Sequence, residues 1–260
     1  MTARTACRGF SLIEVLVCIG VIAILASLVI PATLGARSRA AETQCAGHLR
    51  ALAVATQLYW DDSSDRPFPY LLDRNKDGAT YWFGWIGSGA EGARPYDPSP
   101  GPLAPYLGQG PLPACPSWLH YASKAKRKTT SRDFGFGYNR HLPEDTPNLH
   151  SLNPSRRALF GDSAQVNDFQ FPASPTNPML EAFYYISSDP WDYPNAHFRH
   201  EGRANVVFAD GHIEPTRIEA GSRDERTPQW NVGRLPAELL RPPKPGTDSE
   251  PPFRVRRVGQ

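Results

Sequence analysis

The chain holds 260 residues with a 21% charged fraction, 27 prolines and a formal net charge of +2. That length leaves room for one folded domain beyond an anchor. A charge this close to balance, with no dense basic block, argues against nucleic acid as a partner.

Met1 to Gly9 carries Arg4 and Arg8 and no acid. Phe10 to Ile30 then runs apolar for about 21 residues, which at about 1.5 Å per helical residue spans a hydrocarbon core of about 30 Å. One carboxylate, Glu14, interrupts the run near its start. A mid-bilayer acid costs about 2.5–3.5 kcal/mol on insertion scales, so Glu14 demands a compensating partner. An ordinary secretory signal is cut after its apolar run, where Ala32 to Ala36 offers only a loose small-x-small site. Arginines on both flanks (Arg4 and Arg8, Arg37 and Arg39) leave the orientation undecided by charge alone.

Beyond Pro31 the helical pattern continues. Ala41, Cys45, Leu49, Leu52, Thr56 and Tyr59 fall at spacings of four and three, one stripe of a helix, with Arg39, Glu42, His48, Arg50 and Gln57 on the other side. The pattern predicts one helix from Phe10 to about Trp60, bent near Pro31, apolar all round at first and amphipathic later. Asp73-Arg74-Asn75-Lys76-Asp77-Gly78 matches the first half of a calcium loop, with oxygen donors at Asp73, Asn75 and Asp77. The bidentate glutamate is missing, since Gly84 stands at the twelfth position, so Glu91 or Asp97 would have to complete a site. A plain polar turn explains the same residues. Tyr81-Trp82-Phe83-Gly84-Trp85 reads as core or strand, and the proline cluster from Pro95 to Pro116 as loop.

Arg157 to Gly161, Ala182 to Ser187 and Ala204 to Ala209 are short aromatic or β-branched runs between turn residues, and read as strands. Asp210-Gly211 predicts a two-residue hairpin turn into His212 to Ile218, with Pro215 placing that second strand at an edge. His197, His200, His212 and Asp210 carry zinc-ligand chemistry. An extended segment at about 3.3 Å per residue holds His200 roughly 25–30 Å from Asp210, so neither a metal site nor a catalytic pair is expected among them. Ser163 and Ser187 lack a nucleophile elbow. After Gly221 the chain turns proline-rich and charged and reads as a disordered tail.

The basic leader, Gly9-Phe10-Ser11-Leu12-Ile13-Glu14 and Pro31 together resemble the processing segment of type IV prepilins and type II secretion pseudopilins. The resemblance covers only the N-terminal part of the chain. It implies cleavage after Gly9 by a prepilin peptidase, N-methylation of Phe10, and a Glu14 carboxylate facing the Phe10 amine of a neighbouring subunit. It also implies an N-terminus in the cytoplasm and a single pass through the inner membrane. The ectodomain would be extracytoplasmic, on a periplasmic or cell-surface filament. A second resemblance lies downstream. His200, nine intervening residues and Asp210-Gly211, within Arg199-His200-Glu201-Gly202 and Ala204 to His212, are similar to the H-X9-DG signature of a prepilin-like group with the same N-terminal segment.

With that orientation, Cys45 and Cys115 remain in an oxidising compartment, whereas Cys7 lies in the leader and Cys18 in the membrane segment. The two either pair, closing a loop worth roughly 4 kcal/mol, or stand as separate thiols. The expected fold is α+β: a pilin-like helix, transmembrane in its first half, packed on an antiparallel sheet. The expected divisions are leader 1–9, helix 10–60 (spanning 10–30), ectodomain 61–220 and tail 221–260. The expected function is a structural subunit of a type IV pilus or type II secretion pseudopilus, not an enzyme, with calcium as the one cofactor candidate. Its partners would be the peptidase, the membrane and other pilin-like subunits. The alternative is a membrane-tethered binding module that uses prepilin processing without polymerising.

Overall fold

The computed structural model describes residues 11–108, 112, 114–122, 125–131, 133–145 and 153–241. Gly9 and Phe10 lie outside these residues, as do residues 242–260. Helix α1 runs over Leu12–Asp62. Ser11 precedes it, and the Ser11 N–H donates to the Glu14 carboxylate at 2.8 Å. This is half of a capping box, in which a glutamate three residues into a helix satisfies an orphan backbone donor. Pro31 falls inside α1, with its side chain outside the described set. The chain divides into two compact units between Ala41 and Glu42.

In the first unit, the large apolar side chains from Leu12 to Ile30 are exposed. The helix is long and apolar enough to cross a membrane. In the second unit, α1 buries Cys45, Leu49, Leu52, Thr56 and Trp60. The expected stripe holds except at its end, where Trp60 is buried and Tyr59 is only partly covered, edge-on to Phe68 at 5.1 Å.

Strands β1 (Leu71–Asn75), β2 (Gly78–Tyr81), β3 (Gly84–Gly87) and β4 (Tyr96–Asp97) form an antiparallel meander. Short helices α2 (Ala104–Leu107) and α3 (Pro116–Ala122) lead to β5 (Phe136–Asn139) and α4 (Leu142–Asp145). There follow β6 (Ala158–Asp162), β7 (Gln165–Asn167), β8 (Met179–Glu181), β9 (Tyr185–Ile186) and β10 (Ala196–His197). The chain then forms β11 (Arg203–Phe208), β12 (Ile213–Arg217), β13 (Val232–Gly233) and α5 (Ala237–Leu240). The main sheet has the order β12-β11-β6-β5-β9, antiparallel apart from the β5–β9 pair. This is the α+β arrangement expected.

Alternation along β11 divides the core in two. Val207 joins the cluster that holds Cys45, Leu49, Leu52, Trp82 and Phe160, while Ala204, Val206 and Phe208 join a second cluster. Trp82 and Phe83 are core residues, as expected, and the Trp82 indole N–H donates to the Tyr184 carbonyl at 2.6 Å.

Two expectations need correction here. The first is the tail: it does not begin at 221. Residues through Arg241 are folded, β13 pairs with β10, and Leu235 and Leu240 close the second cluster. Arg226 ties this stretch back to Asp168 at 2.8 Å and Asp224 at 2.7 Å. Its few apolar residues, separated by prolines and charges, show no period, yet Trp230 and Val232 pack with the first cluster and Leu235, Leu239 and Leu240 with the second. The second concerns Ala182 to Ser187: only Tyr185 and Ile186 of it form a strand, β9, and the preceding strand β8 ends at Glu181.

Below the meander a buried Lys126 ammonium bonds Glu91 at 2.5 Å, Glu181 at 3.0 Å and Gln170 at 3.1 Å. Nearby Asp133 is half-buried. Burial pushes its carboxyl up to about 6, against the pull of Lys128 and Arg127. An acid raised in the fold contributes stability present below its unfolded pKa near 4 and lost as pH rises through about 6.

Two outcomes follow for the full chain in detergent. Leu49→Ala removes a fully buried side chain and should cost about 2–5 kcal/mol in denaturant titrations. Asp133→Asn should be more stable than the parent by about 1–2 kcal/mol near neutral pH, with the difference closing by about pH 4. A difference that does not vary with pH would show that folding does not raise the Asp133 carboxyl.

Candidate functional site

Four chain segments meet where α1 passes Cys45. The helix supplies Cys45, and the start of α3 supplies Cys115, whose N–H is fixed on the Phe134 carbonyl at 3.0 Å. Asp162 ends β6. His200 comes from a tight turn: it exchanges backbone hydrogen bonds of 3.0 and 2.9 Å with Arg203, across Glu201 and Gly202 at φ 51° and 78°. Both central residues have positive φ, as a twist-compatible two-residue hairpin requires, and Gly202 adopts it without steric cost. All four side chains are buried, the most exposed being His200 at 4%.

Asp162 is the hub. One carboxylate oxygen accepts from Arg199 Nη2 at 2.8 Å, Arg199 Nε at 3.3 Å and the Cys45 thiol at 3.3 Å. The other accepts the Asn205 N–H at 2.8 Å and lies 3.1 Å from His200 Nε2. Cys115 Sγ lies 3.8 Å from the same His200 nitrogen. Arg199 is wholly buried, lies over the Trp118 ring at 5.5 Å, and donates to the Gly135 carbonyl and to His197 Nδ1. Gly135 is required there: its φ is 73°, and a Cβ would fall 2.9 Å from the Trp118 ring.

The electrostatics follow from burial and charge together. Burial alone would raise the Asp162 carboxyl, but the Arg199 charge and the His200 hydrogen bond hold it far below the usual carboxylate range. Burial disfavours a charged His200, and the Asp162 bond reverses this, lifting the imidazole to about 9. His197, buried beside the Arg199 charge, is driven well below the ordinary imidazole value. The hydrogen bond between the thiols, reinforced by Arg199, pulls Cys115 down; the same bond and burial push Cys45 up. The arrangement thus gathers two sulfurs, a carboxylate and an imidazole around a buried guanidinium.

The candidate residues read from the sequence divide sharply. Cys45 and Cys115 are brought together, but as free thiols, so the disulfide that the sequence allowed is not formed here. His200 joins them; Asp210 does not. The carboxylate of Asp210 accepts from the His212 N–H at 3.1 Å and meets the His212 ring at 2.5 Å. The turn itself differs from the expected two-residue form. Phe208 N–H bonds the His212 carbonyl, and Gly211 N–H bonds the Phe208 carbonyl, enclosing the three residues Ala209 to Gly211. Gly211 has φ 85°, the left-handed residue of a turn followed by a bulge.

Asn75 and Asp77 lie at the tip of the β1–β2 hairpin, and Asp73 is paired with Thr80 within its ladder. The Asn75 side-chain oxygen is committed to the Asp77 and Gly78 amides at 2.9 and 3.2 Å. The helper acids are engaged elsewhere, Glu91 with Lys126 and Arg94, Asp97 with the Ser99 N–H. Asp162 and Arg199 were not singled out from the sequence. Their signals were an acid closing an apolar run and a cation adjoining His200.

Residues 4–30 match the family model described as the prokaryotic N-terminal methylation motif. No curated protein and no solved structure matches the chain. Over this segment the chain is similar to prepilins, and the motif with its apolar helix implies processing by a peptidase and association with a membrane.

Proposed function

We propose that the chain is a pilin-like structural subunit of a type IV pilus or type II secretion pseudopilus, cut after Gly9 and N-methylated at Phe10. The observation that carries this reading is the methylation motif at residues 4–30, whose apolar part forms the start of α1. Two properties of α1 support it. Its first turns expose apolar side chains, suited to lipid or to equivalent helices, and its last turns are buried in the ectodomain. In this reading Phe10 to Ile30 crosses the inner membrane with the leader in the cytoplasm. The mature chain is a peptidase substrate and does no chemistry of its own. The H-X9-DG residues hold the β11–β12 hairpin in place.

Assembly would use Glu14. A buried carboxylate with a cationic partner is compensated, whereas one left alone costs several kcal/mol. The amine of a neighbouring Phe10 supplies that partner and fixes the axial register between subunits.

Mass spectrometry of the N-terminus from native membranes tests the processing. A start at N-methyl-phenylalanine 10 is expected; an intact Met1, or a start near Arg37, would sink the reading. Glu14→Gln tests the assembly. The neutral amide is easier to insert, so membrane content and cleavage should be unchanged. Recovery in sheared filament fractions should fall roughly tenfold or more, in line with the loss of one member of a buried ion pair. Wild-type protein found only in membranes would instead identify a tethered binding module.

A further inference from the structure

We infer that Cys45, Cys115, Asp162 and His200 form a tetrahedral structural metal site, with zinc as the ion that its donor set fits. One ligand atom from each residue lies within 4.8 Å of every other. The edges that can be read individually are 3.3 Å from Cys45 sulfur to carboxylate, 3.8 Å from Cys115 sulfur to imidazole, and 3.1 Å from imidazole to carboxylate. A tetrahedron with metal–sulfur bonds of about 2.3 Å and metal–nitrogen or metal–oxygen bonds of about 2.0–2.2 Å has edges of about 3.3–3.8 Å. The Cys45 and His200 edges end on different oxygens of Asp162, and the set spans up to 4.8 Å, so sharing one ion takes side-chain rotations of up to about 1 Å.

Three further observations point the same way. First, the donors are two sulfurs, one imidazole and one carboxylate. That mixture suits zinc, whereas calcium and magnesium take oxygen ligands only. Second, the charges close. Two thiolates and a carboxylate carry three negative charges, and a dication with the buried Arg199 guanidinium carries three positive ones. Third, the supporting bonds are in place. The Asn205 N–H and Arg199 hold separate oxygens of Asp162, so binding through either oxygen leaves the other anchored. All four ligands are buried, which is the arrangement of a closed structural site rather than one with an open position for substrate.

The site would join elements far apart in sequence: the interior of α1, the start of α3, the end of β6 and the turn before β11. It also gives His200 a role that the hairpin turn alone does not require. The ligands bind as thiolates, carboxylate and neutral imidazole, so loading releases to solvent whatever protons the two sulfurs and the His200 imidazole carry, and it changes no oxidation state.

The competing chemistry is a Cys45–Cys115 disulfide, and one preparation separates the two. The full mature chain, purified in mild detergent without chelator, should carry about one zinc per chain by elemental analysis. Cys45 and Cys115 should resist alkylation until chelator and denaturant are added, and then both should react. A Cys45–Cys115 disulfide in peptide mapping, or metal far below one equivalent, would overturn the proposal. Cys115→Ser and His200→Gln should each lower the bound zinc several-fold. Should either variant fail to fold, cobalt(II) added to the chelator-treated wild type decides. Intense tetrahedral visible bands with a thiolate charge-transfer band support the site, and a pale octahedral spectrum refutes it.

Discussion

A carboxylate with no access to water is the constraint around which the folded domain is arranged. Asp162 would cost several kcal/mol to bury uncompensated, and its partners come from α1, from the loop before β11 and from β11 itself. Each partner is fixed by a second contact: Arg199 by Trp118 and Gly135, His200 by its turn with Arg203, Cys45 by the helix. Moving any one of these elements strands a charge. The apolar clusters supply most of the driving force, but they are non-directional. The Asp162 network is directional, and it sets which turn of the helix meets which strand.

Much of the fold was legible because it rests on short-range periodicity. The stripe through Cys45, Leu49 and Leu52 is a helical pattern and buries as one. Ala204 to Ala209 alternates as a strand with two covered faces, and it became the strand that divides the core. The boundary at Gly221 misled because proline and charge content says how a segment composes, not what it covers. Leu235 and Leu240 are ordered by a sheet face built from residues far earlier in the chain.

The site was half legible for the same reason. Cysteine and histidine attract notice in any sequence, and Cys45, Cys115 and His200 were all marked. Their meeting point was not, since it depends on Asp162 and on the bend at Glu201-Gly202, and neither leaves a periodic trace. As the extended spacing predicts, β11 lies between His200 and Asp210 and holds them apart. His200 turns instead toward the helix, and Asp210 serves the far loop.

The Ser11–Glu14 hydrogen bond has a consequence for how a precursor becomes a subunit. The Ser11 amide lies beyond the Gly9–Phe10 bond, so cleavage there leaves this contact chemically intact. On the proposed processing, the bond that holds the acid to its own backbone is untouched by the cut. A carboxylate has acceptor capacity well beyond one hydrogen bond, and an incoming ammonium would meet a preorganised acceptor rather than a mobile side chain. The conformational entropy of ordering Glu14 is then already spent within the single chain, and the encounter between chains need supply only the charge.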